Sequence, residues 1–330
     1  MPAAPATHRP RVSDPTSAAP MGARPARFAI PPGLRDMMVA SLLFALMSVM
    51  VKEVERHLPV GYAVFARSAI GLGLSLWLVR RAGLSWRGNR PGLLAVRGLV
   101  GFSALMCTFE SISRIALSDA IILQQTQPLW TTILAWLFLE EPLRPRVALA
   151  MAVALAGVAL VVRPPFLFGG AAHDIDPAGV ALALAAAVLS AGAYVSVRAL
   201  RKTDHTLVVV LWFALIATPF SVPSVLVELV PPRPIDLLLL LGIGVTVQGA
   251  QMLMTRALHR EPAGRVVAVG YLQVVYASLF GVVFFGETLT PLGLGGAALI
   301  IAGALIATFD ARAAMSRLTP RGASDTNRAH

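Results

Sequence analysis

The chain is a succession of long apolar segments separated by short polar ones. Most segments hold about 20 residues, enough to cross the ~30 Å hydrocarbon core of a bilayer as a helix. They are continuous, whereas the strands of a membrane barrel would alternate between apolar and polar residues. The pattern therefore predicts an all-α polytopic membrane protein with ten transmembrane helices. These are spans 1 to 10, at residues 35–52, 60–79, 92–112, 118–139, 146–163, 178–198, 206–227, 236–256, 265–285 and 292–310.

A second pattern is an internal repeat with a period of 146 residues. Gln127 in span 4 corresponds to Gln273 in span 9, and Glu141, in the turn after span 4, corresponds to Glu287. The same register holds without a gap for Lys52 and Arg198, Gly98 and Gly244, Ala104 and Ala250, Met106 and Met252, Arg114 and Arg260, and Gly157 and Gly303. Each copy holds five spans, an odd number, so we expect the second copy to be inverted in the bilayer. Inverted repeats recur in secondary transporters, where two related halves alternate access to a central site.

Composition and charge agree with a membrane protein. The chain is 56% hydrophobic and 14% charged, with a net charge of +11. If the amino terminus is cytoplasmic, 21 of the 28 Lys and Arg residues lie in cytoplasmic segments and five in outer loops. This bias follows the positive-inside rule, so the basic charge indicates orientation and not binding to nucleic acid. We therefore predict a multi-pass protein of the plasma (inner) membrane, surrounded by lipid, with both termini cytoplasmic.

The turns after spans 4 and 9 carry a family resemblance. Each repeat ends a Pro- or aromatic-bearing helix with a Leu/Phe-x-Glu turn, Leu139-Glu140-Glu141 in the first copy and Phe285-Gly286-Glu287 in the second. Over about residues 35–310, the chain resembles the EamA-type members of the drug/metabolite transporter superfamily. The segment at 162–169 also resembles a subgroup that includes animal solute carriers of the nucleotide-sugar-transporter-like type.

The resemblance implies a ten-helix exporter or exchanger of small metabolites, with a central cavity lined by spans 1, 3, 4, 6, 8 and 9. The expected organisation is a disordered cytoplasmic tail at 1–33, five-helix repeats at 34–165 and 178–311, and a cytoplasmic tail at 312–330. One position departs from the repeat, because Val274 stands where the first copy has Pro128. We therefore expect a bend in span 4 that span 9 lacks.

Two arginines, Arg67 and Arg97, lie inside spans. A charge within a membrane is costly, and it marks a functional site by default. For Arg67 the best partner is Glu110 in span 3, because both fall in the outer half of the membrane. The two could form a gate, or an anion site with Glu110 as a protonatable coupling group. The alternative is a permanent ion pair that joins spans 2 and 3.

Neutral polar side chains in spans 4, 8 and 9 are the candidate substrate pathway. Gln127 and Gln273 are related by the repeat and could flank one central cavity. The other candidates are Thr126, Gln248, Gln251, Tyr271 and Tyr276. The alternative role for these side chains is interhelical hydrogen bonding, which is common in membrane bundles.

The sequence predicts neither a metal site nor a cofactor, because no His/Cys cluster has zinc spacing and no glycine-rich phosphate loop occurs. We therefore predict a secondary transporter, not an enzyme, that moves a neutral, zwitterionic or anionic small organic metabolite by alternating access. The alternatives are a membrane-embedded enzyme and a non-transporting scaffold. The glycines of span 10 suit close packing, and a homodimer through spans 5 and 10 is a further prediction.

Overall fold

Thirteen α-helices account for most of the residues that the structure describes. The computed structural model describes residues 30–115, 117–168, 176–226, 229–286 and 290–318. The helices are α1 (Pro32–Val54), α2 (Val60–Arg81), α3 (Pro91–Arg114), α4 (Leu117–Gln124), α5 (Gln127–Leu139), α6 (Pro145–Val162), α7 (Pro165–Phe168), α8 (Pro177–Leu200), α9 (Thr206–Leu226), α10 (Pro234–Arg260), α11 (Ala263–Gly270), α12 (Leu272–Phe285) and α13 (Pro291–Leu318). These residues contain no strand, so the predicted all-α class is confirmed.

Nine segments of the described chain are long and apolar enough to cross a membrane, one of them formed by α11 and α12 together. Predicted span 4 corresponds to α4 and α5, which have 8 and 13 residues and are each too short to cross alone. The predicted amino-terminal tail lies outside the described residues, apart from a few at its end, and so does Glu287. Helix α13 continues to Leu318, beyond the predicted end of span 10 at residue 310.

Prolines begin most of the long helices. Pro145 and Pro291 start α6 and α13, one residue before the predicted starts of spans 5 and 10. Proline suits the first turn because its missing N–H would have no helical partner there and its φ is already helical. At the other end, α5 and α12 stop at Glu140 and Gly286, which are related by the repeat and have φ of 55° and 64°. The two copies therefore end this helix with the same left-handed turn, which glycine adopts without steric cost and glutamate does not.

Both repeats interrupt this helix in its middle. Helix α4 ends at Gln124 and α5 begins at Gln127, whereas α11 ends at Gly270 and α12 begins at Leu272. The two interruptions lie at matching positions of the 146-residue register. Backbone bonds of the tighter i to i+3 kind bridge them, so each is a local change of winding within a helix that continues on the far side.

The interruption in span 9 contradicts the expectation from Val274. The sequence predicts a bend only where Pro128 stands, yet α11 ends without a proline. The cause lies one turn earlier, because Gly270 is a weak helix former. Its carbonyl oxygen accepts a hydrogen bond from Ser41 of α1 at 3.4 Å, so a neighbouring helix contacts the interrupted backbone.

Four helix pairs form the body of the bundle: α1 with α10, α3 with α8, α2 with α9, and α6 with α13. Small residues bring α6 and α13 together. A Cβ atom on Gly157 would lie 2.5 Å from the carbonyl oxygen of Gly296, and one on Gly303 would lie 2.6 Å from that of Ala150. These two contacts are equivalent under the repeat. The glycine faces of spans 5 and 10 therefore pack within one chain, and a homodimer through these spans stays a prediction.

An ion-pair network ties several helix ends together on one face of the bundle. Arg198, at the end of α8, lies 2.6 Å from Glu141, and their side chains are 7% and 15% exposed. The same arginine donates to the carbonyl oxygen of Leu258 in α10 at 2.8 Å. The second carboxylate oxygen of Glu141 accepts from the backbone N–H of Ala263 at 3.0 Å. Glu141 thus connects the turn after α5 with α8 and with the start of α11.

The close approach of α6 and α13 predicts opposite effects for two glycine-to-alanine changes. Gly157→Ala should lower the stability of the protein by about 1–3 kcal/mol, because the added methyl group meets backbone atoms that cannot yield. Gly295→Ala, with open space around its Cβ position, should leave stability unchanged or raise it, because alanine is the better helix former by about 1 kcal/mol. Thermal unfolding of the purified protein in detergent compares them. Equal melting temperatures would rule out the packing.

The buried network predicts that Glu141→Ala destabilises the protein by about 3 kcal/mol, because Arg198 keeps its charge but loses its acid. This lies at the lower end of the ~3–5 kcal/mol typical of a broken buried pair, since Arg198 retains its carbonyl partners. Glu53→Ala is the matched control. Its 3.3 Å pair with Arg56 is exposed, so the loss should be within about 1 kcal/mol. Unfolding measured in detergent tests both, and a Glu141→Ala loss no larger than the control would contradict the network.

Candidate functional site

A polar cavity lies inside the bundle, among helices of both repeats. Its volume is about 210 Å³, and its lining comes from α1, α2, α3, α8, α9, α10 and α12. The resemblance implied a contribution from span 4, but α4 and α5 provide none of these lining residues. The polar lining side chains are Arg67, Arg97, Thr108, Ser190, Tyr194, Gln251 and Gln273.

Two arginines give the cavity its charge. Arg67 extends from α2 and is partly exposed to the cavity, whereas Arg97 of α3 is 3% exposed. The guanidinium of Arg97 lies 4.5 Å from the centroid of the Phe213 ring, a cation–π contact worth about 0.5–2 kcal/mol. Its Nε atom is buried and has no hydrogen-bond partner among the described residues. None of the described residues that line the cavity is an acid, so their charge is positive.

The two members of the predicted charge pair lie in different surroundings. Arg67 lines the cavity, but Glu110 does not. The carboxylate of Glu110 instead lies 2.7 Å from Arg114, one turn further along α3, and its side chain is 52% exposed. Arg114 also approaches Asp176 at 3.6 Å, which joins the end of α3 to the start of α8. The structure therefore gives Glu110 another partner, and the other cavity charge is Arg97.

Of the glutamines, only two line the cavity. Gln251 and Gln273 both do, and Oε1 of Gln251 is buried without a hydrogen-bond partner in the described structure. Gln248 instead donates to Ser75 of α2 at 2.7 Å, which is the interhelical role weighed as the alternative. Gln127, the repeat counterpart of Gln273, donates to Thr131 at 2.7 Å, within its own helix. The repeat-related pair thus has different surroundings in the two halves.

The remaining candidates lie beside the cavity. The hydroxyl of Thr126 donates to the backbone oxygen of Leu123 at 2.6 Å, inside the interruption between α4 and α5. Tyr276 is partly buried on α12 and is not among the lining residues. Neither side chain lines the cavity in this conformation.

Tyr271 links the two helix interruptions directly. Its side chain is 1% exposed, and its hydroxyl donates to the backbone oxygen of Gln125 at 2.8 Å. These residues are 146 apart, so they are equivalent positions in the two copies. The interruptions therefore meet in the interior of the bundle, and the two halves are joined there by a hydrogen bond.

Little in the sequence singles out the lining residues Arg97, Tyr194, Thr108 and Ser190. Arg97 is a charge within a span, and by that signal alone it ranked with Arg67. It is only five residues inside span 3, where an arginine can also extend its side chain towards the interface. The other three residues are common in membrane helices and carry no signal of their own. Only the packing of α3, α8 and α9 identifies the face on which they meet.

The chain is similar to several known proteins. The EamA-like transporter family matches the chain twice, at residues 33–163 and 177–309. The chain is 33% identical over 270 residues to the pseudopaline exporter CntI of Pseudomonas aeruginosa, covering 82% of this chain and 93% of that protein. It is 30% identical over 280 residues to human solute carrier family 35 member G1, covering 82% and 77%.

A solved crystal structure has the same fold. It matches with a TM-score of 0.74 at 21% identity, covering 88% of this chain and all of that one. The two family matches span most of the sequence, and the two relatives are named an exporter and a solute carrier. The resemblance predicted from the turns is confirmed: the chain belongs to the EamA-like transporter family.

Proposed function

We propose that the chain is an alternating-access exporter or exchanger of a small organic metabolite, with its substrate site in the cavity that Arg67 and Arg97 line. The observation that carries this proposal is the cavity itself, a polar, positively charged space enclosed by apolar helices. Such sites at the midplane, between repeats and beside discontinuous helices, are typical of secondary transporters. The two interrupted helices, which the hydrogen bond from Tyr271 to Gln125 joins, are discontinuous helices of this kind.

The two halves of the chain are proposed to be inverted repeats. Under the 146-residue register, the packing of α3 on α8 becomes that of α10 on α1. The pairs α2 with α9 and α6 with α13 each map onto themselves. Contacts that exchange in this way are expected of a pseudo-two-fold axis, and the two family matches divide the chain in the same manner. We propose the repeats at 34–165 and 178–311.

A tenth crossing, made by α4 and α5 together, completes the proposed topology. Ala120 near the start of α4 packs with Ala183 near the start of α8. Glu141, directly after α5, pairs with Arg198 at the end of α8. The two short helices thus run along the length of α8. An odd number of spans per repeat follows, as inversion requires.

The proposed orientation has both termini in the cytoplasm of a cell bounded by the plasma (inner) membrane. The support is the distribution of Lys and Arg, which favours the loops on the same side as the amino terminus. Outward transport is favoured because one relative at 33% identity is named an exporter. A membrane-embedded enzyme or a non-transporting scaffold remains the alternative against which the proposal is tested.

Transport is tested with the purified protein in liposomes loaded with a mixture of dicarboxylates, amino acids and sugars. At least one solute should leave faster than from loaded liposomes without the protein, with its mass unchanged. Gln273→Ala should slow that efflux about 2–10-fold, because a cavity hydrogen bond contributes about 0.5–1.5 kcal/mol. Gln127→Ala, which alters only a bond within α5, should have little effect. A converted product would indicate an enzyme, and no efflux of any solute would indicate a scaffold.

The orientation predicts which loops an impermeant thiol reagent can reach. In a Cys107→Ser background, Arg56→Cys between α1 and α2 should be labelled in intact cells. Arg87→Cys between α2 and α3 should be labelled only after the membrane is permeabilised. Both side chains are exposed, so access to the reagent depends on their side of the membrane. The reverse pattern would place the amino terminus outside.

A further inference from the structure

We propose that the substrate is a small organic dianion, whose two negative groups are held by Arg67 and Arg97. This inference rests on the proposed function of the cavity and names the chemical class that the cavity takes. Its basis is an imbalance of charge inside the membrane.

Among the described residues that line the cavity, two carry a positive charge and none carries a negative one. These two are Arg67 and Arg97, and they are near enough for their charges to repel each other. Neither forms an ion pair with any acid in the part of the chain that the structure describes. A buried charge without a counter-ion is strongly unfavourable, and two adjacent ones are more so. An anion that enters the cavity relieves both costs at once.

Arg97 is aimed at the cavity and lacks a hydrogen-bond acceptor. Phe213 covers one face of its guanidinium, but an aromatic ring accepts none of the five N–H groups in the plane of the fork. Gly101, one turn along α3, leaves room for the group, since a Cβ atom there would lie 2.8 Å from Nη1. The unpaired Nε is part of this same fork. Carboxylate and phosphate oxygens match the fork in two parallel hydrogen bonds, which other acceptors do not.

The remainder of the lining limits the size and shape of the ligand. A volume of about 210 Å³ is below the ~300–1,000 Å³ of pockets for drug-sized molecules. Phe44, Leu105 and Met254 provide apolar surface for a short carbon chain. The free Oε1 of Gln251 can accept a hydrogen bond from a hydroxyl or amino substituent. A metal cation or a polyamine would meet two like charges, and a neutral solute would leave both arginines unpaired.

The test compares acids with their uncharged diamides of the same size. The purified full-length protein in detergent is titrated with malonate, succinate, glutarate and inorganic phosphate, and with malonamide, succinamide and glutaramide. At least one dianion should raise the melting temperature in a saturable way, because a ligand of the native state stabilises it. The matched diamides should not. A response to phosphate alone would contradict an organic dianion with two separate negative groups.

Variants of Arg67 and Arg97 test whether these two side chains bind the dianion. Arg67→Gln and Arg97→Gln should each weaken dianion binding about tenfold or more, as expected when a charged hydrogen bond is lost. Arg97→Lys should recover only part of the affinity, because lysine keeps the charge and loses the fork. Arg146→Gln removes the same charge from an exposed site outside the cavity and should change binding less than about twofold.

Several results would overturn the inference. These are a diamide that stabilises as well as its acid, dianion binding that survives both glutamine variants, and no stabilisation by any dianion in the series. The comparison of acid and amide uses the unaltered protein, so a variant that fails to fold leaves the test intact. Efflux of a neutral solute from liposomes, without dianion binding, would refute this inference and retain the transporter. Absence of all efflux would refute the transporter itself.

Discussion

A polar group inside a bilayer has no water to bond to, so it must find its partner within the protein. This constraint accounts for most of the structure. The backbone is satisfied by helices, and buried hydroxyls such as Ser68 bond to the carbonyl one turn earlier. Gln248 reaches Ser75 on another helix, and Arg198 is held by Glu141 and two carbonyl oxygens. The Nε atom of Arg97 and the Oε1 atom of Gln251 are exceptions to this rule at one cavity, because each is buried without a hydrogen-bond partner among the described residues.

The interruption between α11 and α12 lies next to a residue that lines this cavity. Helix α12 begins directly after its interruption, and its second residue, Gln273, reaches the lining. The bond from Tyr271 to Gln125 then fastens the two interrupted segments to each other. A glycine in one copy and a Gln-Thr pair before a proline in the other produce similar breaks. Different sequences thus give related backbones, whereas of these two interrupted helices only the one in the second copy contributes a lining residue to the cavity.

The bundle separates rigid contacts from polar ones. The α6–α13 interface contains no charge at its glycine contacts and brings backbone against backbone. It lies apart from the residues that line the cavity. The ion pairs collect at the helix ends, where Glu141, Asp36 and Asp176 each meet arginines from other helices.

The sequence by itself determined the helical class, the positions of most spans, the helix starts at Pro145 and Pro291, and the family. These follow from local properties, namely the length of an apolar run, the fixed φ of proline and the spacing of a repeat. Only the tertiary structure decided that Arg97 and not Glu110 shares the cavity with Arg67, that Gln273 lines it while Gln127 does not, and that span 9 is interrupted at Gly270 without a proline. Each depends on which helix packs beside a residue. An apolar helix surface gives no sign of its neighbour, because lipid and another helix are equally apolar surroundings.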